Sequence, residues 1–232
     1  MSIFFHPSHS SKKRFLAKGF TVVELMVVVG IMLVMTSVLL LRQQKFDSAT
    51  LLRSLAYSIA LSVRQAQVYG SSVRENTTGG GSFSTSYGVY ISTADLTHYY
   101  LFADNGDGVY TGDVNSNGVC DSGEDCIVTR FTIGKGTGSD YRIQKFCATT
   151  IAGSIQYCSD VGGGPTWIGI FFRRPNTDAC FTTSLDSISA CLSPNPVVYQ
   201  SGYIQIIGPD GVTTRSINVT QTGSISVGVV GT

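Results

Sequence analysis

Charge, histidine and proline are scarce in this chain of 232 residues, and each scarcity removes a class of function. Only 13% of residues are charged and the formal net charge is +1, which argues against a protein that grips nucleic acid by its overall field. Two of the three histidines fall in the first nine residues, leaving His98 as the one imidazole on which a Ser/His/Asp arrangement could be built. Its neighbours Thr97 and Tyr99 read as ordinary strand residues. No GxxxxGK[ST] is present, and Gly79–Gly81 and Gly162–Gly164 read as loop glycines rather than phosphate cradles. The chain therefore reads as a non-enzyme. Disorder is excluded for the bulk, because 43% of residues are hydrophobic and mean hydropathy is +0.18. A second long apolar run is also missing: only Phe20 to Leu41 is long enough to span a bilayer, so one span at most is allowed.

Cysteine is absent before residue 120 and then appears six times, at Cys120, Cys126, Cys147, Cys158, Cys180 and Cys191. An even, clustered set suits disulfides made in an oxidising compartment. Zinc is the rival, but there is no CxxC pair and only His98 lies outside the first nine residues. The two ten-residue intervals favour pairing of neighbours: Cys120 with Cys126, Cys147 with Cys158, Cys180 with Cys191.

Charge is uneven as well. The first 19 residues carry Lys12, Lys13, Arg14 and Lys18 and no acid, so the remainder holds 12 basic against 15 acidic residues. A basic stretch followed by an apolar run resembles a signal peptide, yet the small-x-small cleavage site is missing. A plain signal anchor with its basic side cytoplasmic accounts for the hydropathy. It leaves Glu24 unexplained, since a carboxylate in an apolar span costs about 2.5 to 3.5 kcal/mol at the helix centre and less near the interface.

Gly19, Phe20, Thr21 and Glu24 together resemble the type IV prepilin motif, a glycine followed by phenylalanine, with glutamate as the fifth mature residue. The resemblance implies that a prepilin peptidase cuts after Gly19 and methylates the new amino terminus at Phe20. It also implies that Glu24 pairs with the Phe20 amine of a neighbouring subunit, each charge offsetting the other's desolvation. Three parts are then expected: a cleaved leader (1–19), a long helix (20–70, with 20–41 as membrane span or filament core) and a β-rich domain (71–232). From Phe20 to Gly70 there is no proline, and Leu52, Leu55, Ala56, Ile59, Val63 and Ala66 recur at intervals of three or four. Later runs alternate apolar and polar residues, as at Ile204 and Ile206, Ile217 and Val219, and Ile225 and Val227, with GPDG at 208–211 as a hairpin turn. The expected fold class is α+β: one amino-terminal helix of about 50 residues packed on a carboxy-terminal antiparallel sheet, as in the GspH/FimT/FimU group of minor pilins and pseudopilins.

The segment from Asp113 to Glu124 satisfies D-x-[DN]-x-[DN]-G-x5-E, a calcium-loop pattern. Asp113, Asn115, Asn117, Val119 (through its carbonyl), Asp121 and Glu124 would supply hard oxygen ligands, with affinity on the order of 10⁻⁴ to 10⁻³ M. The competing reading is a solvated acidic loop. Upstream, Asn105, Asp107, Gly108 and Val109 echo the pattern incompletely and read as a turn. Across 104–125 six acids stand without a basic residue, and would repel one another without a cation.

The resemblance implies a subunit of a type IV pilus or type II secretion pseudopilus, near the tip, that starts as a single-pass inner-membrane protein and ends in an extracellular or periplasmic filament. Its partners would be other pilins and the peptidase. DNA capture is the alternative, since similar minor pilins include DNA-binding members. Their GRxR-like motif is absent, however, and Gly223 to Ser226 reads GSIS here. Arg142 with Lys145, and Arg173 with Arg174, are the remaining basic candidates for phosphate. Adhesion through the disulfide-rich surface is a further alternative.

Overall fold

The computed structural model describes residues 19–72, 85–112, 124–134, 140–151, 155–175, 178–186, 191 and 199–229, without the side chains of 41–47. The leader before Gly19, Cys120 and five of the expected calcium ligands (Asp113, Asn115, Asn117, Val119 and Asp121) lie outside the described residues.

Helical backbone is assigned over Val22–Ser71, but the chain divides into two compact units, Met1–Lys45 and Phe46–Thr232, and the division falls inside that stretch. It is described as two helices: α1, Val22–Leu40, and α2, residues 48–71. The expectation of one helix of about 50 residues packed on one sheet is thereby corrected. Strand takes about 41% of the described residues against about 27% for helix, and it forms two antiparallel sheets. The physical reason lies in packing. A stretch without proline permits helix locally, but tertiary burial supplies most helical stability, and only the second half carries an amphipathic stripe. The first half is apolar on every side and none of it is buried.

In α2, Leu52, Ala56, Ile59, Val63 and Ala66 are each at most 1% exposed. Burying a Leu, Ile or Val side chain contributes about 1.5–3 kcal/mol, so this one stripe anchors the helix. Arg53, Tyr57, Leu61, Arg64 and Val68 form the exposed face. The hydroxyls of Ser71 and Ser72 donate to the carbonyls of Val68 and Tyr69 at 3.1 Å, satisfying acceptors of the last turn. Gly70 is fixed by close approach, because a Cβ there would lie 2.2 Å from the Phe172 carbonyl oxygen.

The first sheet contains β1 (Tyr87–Ser92), β2 (Asp95–Ala103), β3 (Cys126–Thr132), β6 (Trp167–Phe172) and β7 (Ala179–Thr183), in the order β3-β2-β1-β6-β7. The second contains β4 (Arg142–Thr150), β5 (Gln156–Cys158), β8 (Tyr199–Ile207), β9 (Thr214–Thr220) and β10 (Ile225–Gly228), in the order β10-β9-β8-β4-β5. One core joins α2 to both: Val89, Leu101, Ile168 and Ile170 come from the first sheet, and Ile143, Phe146, Ile204, Ile206 and Ile217 from the second. Polar groups mark the same two contacts. Ser62 Oγ lies 3.0 Å from Tyr99 Oη on β2, and Gln67 Nε2 donates to the Gly223 carbonyl at the β9–β10 turn.

The GPDG segment turns β8 into β9, with Gly211 at φ +67° and the Gly208 N–H donating to the Thr213 carbonyl at 2.9 Å. Disulfides join Cys147 to Cys158 and Cys180 to Cys191. The first links directly opposed residues of β4 and β5. Cys126 is disulfide-bonded as well.

Candidate functional site

Two places gather the residues singled out by sequence. The first is the start of α1. Thr21 caps the helix: the Leu25 N–H donates to its carbonyl at 3.1 Å and the Glu24 N–H to its Oγ1 at 3.2 Å. Thr21 and Glu24 thus stand at the Ncap and N3 positions of a T-x-x-E box, where a carboxylate also complements the helix dipole. Gly19 and Phe20 precede the cap and are exposed, Phe20 to 78%. Beyond it, 19 residues with mean hydropathy 2.5 make a helix apolar and long enough to cross a membrane. The Thr36 hydroxyl is satisfied inside that run by the Met32 carbonyl at 2.8 Å.

The second place is the acidic turn between β2 and β3. Ala103 and Cys126 are paired across these strands, so the residues that flank them, Asp104 and Asp125, are brought together although 21 positions apart in sequence. Both are almost fully buried, at 1% and 2% exposure. One carboxylate oxygen of each lies within 4.8 Å of the others and of one from the exposed Asp107. Backbone donors hold the group. Asp125 accepts the N–H of Asn105 at 2.9 Å and of Thr111 at 2.7 Å. Asp104 accepts the N–H of Gly108 at 3.0 Å and the hydroxyl of Ser86. The upstream echo, 105–109, is a turn in which side-chain oxygens of Asn105 and Asp107 each accept an N–H two residues on. Gly106 and Gly108 take positive φ there.

Burial pushes the Asp125 carboxyl up to about 6, against the pull of the Asn105 and Thr111 N–H groups, and Asp104 is raised by burial as well. An all-oxygen set of this kind suits a hard cation, which would offset the burial of charge. Asp104, Asp107 and Asp125 are the described residues that could hold one. Glu124, the closing ligand of the expected loop, is itself buried at 7% exposure. The sequence places Asp104 and Asp125 in the acidic run over 104–125 but points to no site shared by the two. The available signal was their position, each abutting an apolar β run.

Elsewhere the sequence candidates are separate. Arg142 and Lys145 lie on β4 of the second sheet, and Lys145 Nζ is 3.0 Å from Asp160 Oδ2. Arg173 and Arg174 follow β6 of the first sheet. His98 Nδ1 is 2.8 Å from Asp95 Oδ2, with Arg130 at 3.6 Å from the same oxygen. Burial would raise Asp95, but hydrogen bonds from His98 and Thr97 outweigh it and hold the carboxyl at about 2. In comparisons with known proteins, no family model, no curated protein and no solved structure matches this chain.

Proposed function

We propose that the chain is a minor pilin or pseudopilin, processed after Gly19 and assembled through α1 into a type IV pilus or secretion pseudopilus. The observation that carries the reading is the start of α1: an exposed Gly19–Phe20 pair, a cap on Thr21 and Glu24 in the first turn of a wholly unburied apolar helix. Cutting after Gly19 leaves both cap hydrogen bonds in place, because neither involves a residue before Thr21. The new positive Phe20 amine then stands near the helix start, within one turn of Glu24, where a neighbouring subunit's carboxylate can meet it. In this reading α1 spans the inner membrane before assembly and packs against other subunits afterwards.

Calcium in the acidic segment belongs to the same proposal, supported by the ligand pattern over 113–124 and by the three clustered aspartates. DNA capture draws no support from the basic candidates, which lie on different sheets, with Lys145 engaged by Asp160.

Intact mass and amino-terminal sequencing of the native protein test the central claim. A methylated Phe20 terminus supports it, and a membrane-bound protein still beginning at Met1 refutes it. Calorimetry with calcium tests the second: heat that disappears in Asp113→Ala supports a loop site, and no heat with the unaltered protein removes it.

A further inference from the structure

The exposed face of α2 and the free edge of β10 enclose a continuous groove within the second unit. Its hollows share residues, running from Arg53, Tyr57 and Arg215 at one end, past Leu61 and Arg64, to the β9–β10 turn at Gly223. Three properties of its walls point to one kind of occupant.

The first is backbone. Among the described residues, β10 ends its sheet and pairs only with β9. The Thr220 N–H donates to the Ser224 carbonyl at 2.9 Å, and the alternation of an antiparallel ladder then turns Ser226 and Gly228 toward β9. The N–H and C=O groups of Ile225 and Val227 therefore face outward, a ready template for one more strand. The second is charge. Arg53, Arg64 and Arg215 line the groove, while neither 48–74 nor 211–232 contains an acidic residue. Arg53 rests over the Tyr57 ring, 5.7 Å from its centroid, and Arg64 donates to Gln67 Oε1; both contacts orient the guanidinium without neutralising it. The third is apolar surface beside these charges: Tyr57, Leu61 and Val68 are 51%, 69% and 52% exposed.

We propose that this groove binds an extended acidic segment of a partner protein by strand addition to β10. The added strand would hydrogen-bond to Ile225 and Val227. Its helix-facing side chains would set apolar groups on Tyr57 and Leu61 between carboxylates on Arg53 and Arg64. Eleven steps of helical rise separate the two arginines by ~16 Å, which corresponds to acids four to six positions apart on one face of a strand rising ~3.3 Å per residue. This inference does not rest on the pilin reading, since the groove lies wholly in the second unit.

The test uses the full chain in neutral detergent micelles and a fluorescent peptide of about seven residues, alternating valine and threonine with glutamates four positions apart. Saturable anisotropy is expected, with affinity falling roughly tenfold or more in the Arg53→Gln/Arg64→Gln double variant. Trp167 fluorescence checks that this variant is folded. The same loss is expected when alternate peptide nitrogens are N-methylated on the pairing edge, a change that leaves the protein untouched. Absence of saturable binding overturns the proposal, as does equal binding of the methylated peptide. A short DNA duplex that binds through Arg53 and Arg64 while the peptide fails to compete would overturn it in favour of a nucleic-acid surface.

Discussion

Asp125 offers a direct test of how the acidic turn is held, because its effect on stability has a defined sign and window. Burial pushes its carboxyl from 3.8 to about 6 in the folded protein. A carboxyl raised in this way contributes stability that is fully present below its unfolded value, near 3.8, and lost as pH rises through about 6. A shift of roughly 2 units at about 1.36 kcal/mol each comes to about 3 kcal/mol. Urea unfolding followed by Trp167, the one tryptophan, located on β6, reads the second unit. With a chelator present, so that protons are the competing cations, the unfolding free energy should fall by about 3 kcal/mol between about pH 4 and pH 7. Asp125→Asn should flatten this slope, with Asp104 leaving a residual one of the same sign. Near pH 4 the variant should also be about 1–3 kcal/mol less stable than the parent, because an amide oxygen cannot replace both acceptors used by Asn105 and Thr111, and this gap should close as the parent loses stability toward pH 7. Asp95, held at about 2, contributes stability that disappears only below about pH 4, outside this window. An Asn variant with the parental slope, or stability that rises with pH, would refute the reasoning.

Ile59→Ala, in the buried stripe of α2, should cost about 2–5 kcal/mol in the same assay, whereas Leu61→Ala on the exposed face should change stability by about 0.5 kcal/mol or less. Gly70→Ala should destabilise measurably, since the new methyl would meet backbone at Phe172 that cannot rotate away; differential scanning calorimetry would show it as a lowered Tm. Replacing Cys147 and Cys158 with serines should cost about 3 kcal/mol on the loop-entropy estimate for a separation of 11 residues, and chemical denaturation before and after reduction of the parent gives the comparison.

What could be read from the sequence divides along physical lines. The α2 stripe was legible because helical spacing, burial and absence of proline agree, and five of its six positions are fully buried. Two strands carry little local signal. β5 is three residues long, and β7, with sequence ACFTT, is short and lacks alternation; pairing with β4 and β6 makes them strands. Two sheets rather than one could not be inferred from alternation, which marks a buried face but not the neighbour across it. The acidic cluster shows the same limit. Asp104 and Asp125 meet only because Ala103 pairs with Cys126, a register that no local pattern encodes. The free edge beside α2 likewise depends on strand order.

The two described disulfides each span only 11 residues of sequence. Pulled from its ends, the second unit would lose little extensible length to them: each withholds at most about 35–40 Å of chain. Their mechanical consequence is local. Cys147–Cys158 prevents β5 from peeling off β4 even under load, while most of the unit remains free to lengthen. A chain cross-linked in this way would yield progressively under tension and keep one edge of its second sheet closed throughout.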